Sequence, residues 1–104
     1  MREAAIISTA RTGVGRAHRG AFNQTEAPAL AGHVMRAAIE RADIDPLRID
    51  DVVWGVGNQF GTAGHNNGRT GLFAAGLPYE IPAITVDRKC GSSLSSLAMA
   101  AQFL

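Results

Sequence analysis

The chain has 104 residues, which is enough for one small domain with a hydrophobic core. A hydrophobic fraction of 46% and a net charge of +1 are typical of a soluble globular protein and argue against nucleic acid or membrane partners, and no apolar run is long enough to predict a membrane helix. A single cysteine excludes an internal disulfide and a multi-cysteine metal site, and it favours a reducing, cytoplasmic location.

The first half of the chain predicts a strand, a helix and a second strand. Residues 3–9 include the apolar run Ala-Ala-Ile-Ile, which is typical of a buried parallel strand, and a basic, glycine-containing loop follows. Apolar residues at helical spacing predict a helix that begins near Thr25 or Glu26 and ends before Asp45-Pro46. Residues 49–56 are again largely apolar and predict the second strand.

The second half predicts a helix, a strand and a further helix. After a glycine-rich stretch, Asn66-Asn67 is expected to cap or start a helix over residues 67–75. Residues 81–86 predict the third strand, and a helix follows from Ser92. The resulting β-α-β-α-β-α order predicts an α/β fold with a parallel sheet. Because the last helix shows no stop signal, we expect residues 1–104 to be an incomplete domain of a longer chain.

The single cysteine, Cys90, lies between the third predicted strand and the last predicted helix. A helix N-terminus favours negative charge and lowers a cysteine pKa, and ligands gather at the carboxyl ends of parallel strands. These observations predict a nucleophile, although a buried structural cysteine is the alternative. The neighbouring Lys89 could lower the thiol pKa further, or it could face solvent or a partner subunit, because consecutive residues of a strand point to opposite faces.

Other polar groups give weaker signals. The Gly13-Val14-Gly15 turn lacks the full dinucleotide-binding spacing. The arginines near it predict a solvated basic loop, and the histidines lack metal-ligand spacing, although His65 could approach Cys90. The residues concerned are Arg11, Arg16, Arg19, His18, His33 and His65.

Several motifs of this chain resemble those of the N-terminal portion of the thiolases, the acyl-CoA:acetyl-CoA C-acyltransferases. They are Ala-Arg-Thr at 10–12, Ala-Asp-Ile-Asp-Pro at 42–46, Asp-Val-Val-Trp-Gly at 51–55, Ala-Gly-Leu-Pro at 75–78 and Pro-Ala-Ile-Thr-Val at 82–86 followed by Cys-Gly-Ser-Ser at 90–93. Three residues depart from the family pattern: Gly13 replaces a proline, Gly68 an alanine and Lys89 an apolar residue.

The resemblance implies that Cys90 accepts an acyl group as a thioester and that its backbone N–H stabilises the oxyanion. It further implies coenzyme A as a substrate rather than a tightly bound cofactor, a role in fatty acid metabolism, and a homodimer or homotetramer. In that family the histidine base and a second cysteine lie outside this portion, so we expect the isolated 104-residue chain to be inactive. The alternatives are a related condensing enzyme of the same fold, such as a ketoacyl synthase or hydroxymethylglutaryl-CoA synthase, and an inactive thiolase-like binding protein.

Overall fold

The structure, a computed structural model, describes residues 2–104. In chain order its helices and strands are α1 (Ala27–Ala42), β1 (Val52–Gly55), α2 (Asn67–Ala74), β2 (Ala83–Val86) and α3 (Ser92–Gln102), with short 3-10 helices at Pro46–Arg48 and Gly61–Ala63. Strands β1 and β2 are parallel, with Val52 opposite Ala83 and Gly55 opposite Val86. The α/β class and the parallel sheet are therefore confirmed, and each of the three helices forms where it was expected.

The strand that we expected over residues 3–9 does not form, so the full β-α-β-α-β-α pattern was wrong at its first element. Ile6 and Ile7 are 68% and 71% exposed. The Ser8 hydroxyl donates to the Ala38 carbonyl (2.7 Å), and the Arg41 guanidinium donates to the Thr9 carbonyl (2.7 Å). These bonds tie the segment to α1 instead of the edge of β1, because an apolar run supplies strand propensity but no backbone partner.

The hydrophobic core lies where α1 and α2 pack against each other and against the start of β2. Its buried members are Ala31, Met35, Leu72, Ala75 and Ile81. At Gly71, a β-carbon would lie only 2.6 Å from the β-carbon of Ala31, so the glycine permits the close approach of the two helices. This contact fixes α2 against α1 and leaves the other side of α2 to the sheet.

A set of polar contacts at the N-terminus of α2 joins this helix to β2. Asn66, in the left-handed conformation, accepts hydrogen bonds from the Arg69 N–H (3.3 Å) and from the Thr85 hydroxyl (2.6 Å). Its side-chain amide donates to the Ala83 carbonyl (2.9 Å), and the Gly68 N–H donates to Thr85 Oγ1 (2.9 Å). The expectation that Asn66-Asn67 starts the second helix is confirmed, with Asn66 as the cap.

Gly68 is buried between the two strands at the same junction. A β-carbon there would lie 2.9 Å from the Trp54 β-carbon and 3.0 Å from the Ile84 carbonyl oxygen. Trp54 also donates from its indole nitrogen to Asn67 Oδ1 (3.1 Å). Glycine at position 68 therefore has a packing reason in this chain, beyond its weak helix propensity.

Candidate active site

Cys90 lies on the turn that leads from the end of β2 at Val86 to the start of α3 at Ser92. It is the one free cysteine, and it is exposed. The strand–turn–helix context expected from the sequence is confirmed. The thiol therefore lies within reach of an external reactant at the N-terminal end of an 11-residue helix.

The backbone of the Cys90 turn is tightly hydrogen-bonded. Lys89 has a φ of 48°, a left-handed conformation that a lysine rarely adopts. The Gly91 N–H donates to the Arg88 carbonyl (3.0 Å), and the Ser92 N–H donates to the Lys89 carbonyl (3.1 Å). Within residues 2–104 the Cys90 N–H has no hydrogen-bond acceptor.

The hydroxyl of Ser92 closes the turn from inside. Ser92 is 2% exposed. Its Oγ accepts a hydrogen bond from the Arg88 N–H (2.8 Å) and donates to the Lys89 carbonyl (2.6 Å). Cys90 is thus held in a loop whose two ends are joined by one buried hydroxyl.

The side chain of Lys89 is paired with Asp87 and is 79% exposed. The Lys89 ammonium lies 3.2 Å from Asp87 Oδ2 and 3.4 Å from the Gly57 carbonyl oxygen. The backbone N–H of Lys89 donates to Asp87 Oδ1 (2.9 Å). The backbone N–H of Lys89, and then its ammonium, hold the pKa of the Asp87 carboxyl below its ordinary value of 3.8. The Lys89 side chain is therefore exposed on this chain, and its charge is balanced by a carboxylate.

Two glycines at and just beyond the end of β1, Gly55 and Gly57, form the surface against which the Cys90 turn packs. A β-carbon on Gly55 would lie 2.6 Å from the Ser92 carbonyl carbon, and one on Gly57 would lie 2.6 Å from the Lys89 carbonyl oxygen. Any larger residue would push the turn away. Gly57 had no predicted role, although two glycines spaced by one residue at a strand end are a signal of close backbone approach.

The remaining residues considered in the sequence do not converge on Cys90. His18, His33 and His65 are exposed, and no hydrogen bond within residues 2–104 joins His65 to Cys90. The part of the chain that the structure describes holds no group of metal-ligating side chains and no helix long and apolar enough to cross a membrane. The arginines of the basic loop, Arg11, Arg16 and Arg19, are exposed, as expected for a solvated loop.

The chain matches the family model described as "Thiolase, N-terminal domain" over residues 4–104. Among curated relatives, it is 40% identical over 103 residues to the 3-ketoacyl-CoA thiolase of Serratia proteamaculans, and 42% identical over 101 residues to that of Saccharophagus degradans. The first alignment covers 98% of this chain and 27% of the relative, and the second covers 96% and 26%. The chain therefore spans about a quarter of the length of these relatives.

Proposed function

The chain belongs to the thiolase family, and from this membership we propose that it supplies the nucleophile of a 3-ketoacyl-CoA thiolase. The observation that carries the proposal is the exposed thiol of Cys90 on a strand-to-helix turn, beside a backbone N–H that has no acceptor within residues 2–104. A thiol and an unpaired donor at one helix N-terminus are the two groups that acyl transfer to sulfur requires.

In the first half-reaction, the thiolate of Cys90 attacks the 3-keto carbon of a 3-ketoacyl-CoA. A bond forms between Sγ and that carbon, and the bond between carbons 2 and 3 breaks. The electron pair stays on carbon 2, which takes a proton and leaves as acetyl-CoA. In the second half-reaction, the thiolate of free CoA attacks the acyl-enzyme and restores the Cys90 thiolate, which gives ping-pong kinetics. The reverse sequence forms a 3-ketoacyl-CoA.

The backbone N–H of Cys90 is proposed to donate to the oxyanion that forms in each attack. The N–H groups of Gly91 and Ser92 already donate to carbonyls of the turn, so they are not available for this role. One such donor typically contributes about 10²–10³ in kcat. The helix that begins at Ser92 adds its positive end to the same region.

The proton donor and acceptor of the reaction are proposed to come from outside these residues, since no base is hydrogen-bonded to Cys90 within residues 2–104. We further propose coenzyme A as a substrate without a tightly bound cofactor, a cytoplasmic location, and participation in fatty acid metabolism.

A homodimer or homotetramer is proposed from the membership of the thiolase family, and the uncovered apolar surface of this chain is consistent with further contacts. The two-stranded sheet has unpaired edges, and on α3 Leu94 and Leu97 are 74% and 50% exposed. Further chain, a second subunit, or both would cover these surfaces.

The test is to trap the acyl-enzyme in the full-length gene product. The protein is incubated with acetoacetyl-CoA in the absence of free CoA, digested and examined by peptide mass spectrometry. We expect an acetyl group on the peptide that contains Cys90, its release when CoA is added, and neither in Cys90→Ala. An acetyl group on any other side chain would refute the proposal.

The same experiment separates the two alternatives. An acyl group that leaves only on addition of a malonyl thioester would favour a condensing enzyme of the ketoacyl synthase type. An unmodified Cys90 in a folded protein that still binds acyl-CoA would favour an inactive binding protein.

A further inference from the structure

The turn that carries Cys90 needs a restraint that its backbone alone does not supply. Lys89 precedes the cysteine in a left-handed conformation, which disfavours every residue with a β-carbon. Such a conformation persists only where the surrounding contacts enforce it. The ion pair between Lys89 and Asp87 is a weak restraint, because the lysine side chain is 79% exposed and its charge is screened by solvent.

The buried hydroxyl of Ser92 is placed to provide this restraint. Its Oγ accepts a hydrogen bond from the N–H of Arg88, the residue before the strained lysine, at 2.8 Å. It donates a hydrogen bond to the carbonyl of Lys89 itself at 2.6 Å. Both partners lie on the N-terminal side of Cys90, whereas Ser92 lies on the C-terminal side, in the first turn of α3. These two bonds therefore add to the backbone bonds of the turn in fixing the position of the sulfur relative to the helix end.

An ordinary capping role does not explain Ser92. A capping serine accepts from N–H groups two or three residues further along its own helix. The N-cap of α3 is Gly91, and the Ser92 hydroxyl points back to residues that precede the helix. Ser96 shows the contrasting behaviour of a buried serine on the same helix: it is 7% exposed and its hydroxyl donates to the Ser93 carbonyl within α3 (2.8 Å).

We propose that Ser92 is a positioning residue for the nucleophile: its hydroxyl holds the Cys90 turn in the geometry in which the sulfur and the Cys90 N–H face the same reactant. The proposal rests on the proposed function for the identity of the nucleophile. Loss of the hydroxyl leaves the Arg88 N–H without its acceptor and allows the turn to relax. A displacement of about 1 Å in a reacting group can cost about 10²-fold in rate.

The experiment compares Ser92→Ala with Ser96→Ala in the full-length gene product. Both variants remove one hydroxyl from a buried position of α3, so they are matched in burial and helix propensity. The first readout is the rate of Cys90 alkylation by iodoacetamide as a function of pH, with the alkylated site identified by peptide mass spectrometry. The second is the separation of kcat from KM for thiolysis of acetoacetyl-CoA.

We expect Ser92→Ala to slow Cys90 alkylation at neutral pH by about tenfold, because the sulfur leaves its position at the N-terminal end of α3. We expect kcat to fall by about 10–100-fold with little change in KM. Ser96→Ala should keep the alkylation profile of the wild type.

Equal alkylation profiles in the two variants, or a change in KM alone, would overturn the role of Ser92. If Ser92→Ala does not fold, Ser92→Cys takes its place, since sulfur is a weaker hydrogen-bonding group at the same position. It should slow alkylation of Cys90, and an unchanged rate there also overturns the proposal. Alkylation does not depend on turnover, so full activity of Cys90→Ala would refute the proposed function while leaving this measurement valid.

Discussion

Replacement of Gly55 by alanine tests whether the end of β1 sets the position of the Cys90 turn. The new β-carbon would lie 2.6 Å from the Ser92 carbonyl carbon and 2.6 Å from the Ser93 nitrogen. Both are backbone atoms and cannot rotate away. Ordinary van der Waals contact begins at 3.4 Å, so the first turn of α3 must move by about 0.8 Å.

Two effects of opposite sign decide the magnitude. Overpacking of this kind costs about 1–3 kcal/mol. Alanine in a strand regains about 0.5–1 kcal/mol relative to glycine, because the unfolded chain loses conformational freedom. Gly55 does not have a positive φ, so no further backbone strain arises. We expect a net loss of about 1 kcal/mol in the free energy of unfolding, the difference between the middles of these two ranges.

The assay is urea unfolding of the full-length gene product followed by circular dichroism, together with the rate of Cys90 alkylation. Gly13→Ala is the matched control, because a β-carbon on Gly13 meets nothing within 4 Å and its φ is not positive. We expect Gly13→Ala to change stability by no more than about 0.5 kcal/mol. A Gly55→Ala protein that is as stable as the control and keeps the wild-type alkylation rate would refute the close approach.

Two further predictions concern the other contacts around the sheet. Gly68→Ala should lower the free energy of unfolding. Alanine gains about 1 kcal/mol in helix propensity, but its β-carbon would be overpacked against Trp54 and the Ile84 carbonyl at a cost of about 1–3 kcal/mol. Urea unfolding that shows a more stable variant would contradict this prediction. The lowered pKa of Asp87 means that its contribution to stability is present above pH 3.8 and is lost as the pH falls through the folded-state value. Asp87→Asn should therefore unfold at a lower temperature than the wild type at neutral pH, and this difference should shrink in thermal melts on the acid side of pH 3.8; a difference that is constant over the whole pH range would argue against the pair.

Helices were predictable in this chain because their signals are local. The capping amide of Asn66, the Asp45-Pro46 stop and the small, apolar spacing after Cys90 each act within a few residues, and α1, α2 and α3 form there. The strands were predicted longer than they are. The strands predicted over residues 49–56 and 81–86 are shorter in the structure, where only β1 and β2 form. A strand extends only as far as its partner offers backbone groups for hydrogen bonding.

The failure at residues 3–9 has the same cause, since strand propensity is local but pairing is not. The features of the candidate site were likewise predictable only where their signals are local. The position of Cys90 on a turn between β2 and α3 follows from local signals that the sequence shows directly. The hydroxyl of Ser92 and the glycines at 55 and 57 act through contacts with the backbone of other residues, and the sequence showed them only as small residues.

The fluorescence of Trp54 can be used to monitor the junction between β1 and α2. It is the only tryptophan among the 104 residues, its indole N–H is bonded to Asn67, and it directly precedes Gly55. Indole emission responds to the polarity around the ring, so the fluorescence of this chain reports one defined contact instead of an average over many. Separation of α2 from the sheet would appear as a red shift of that emission. The probe directly precedes Gly55, against which the Cys90 turn packs.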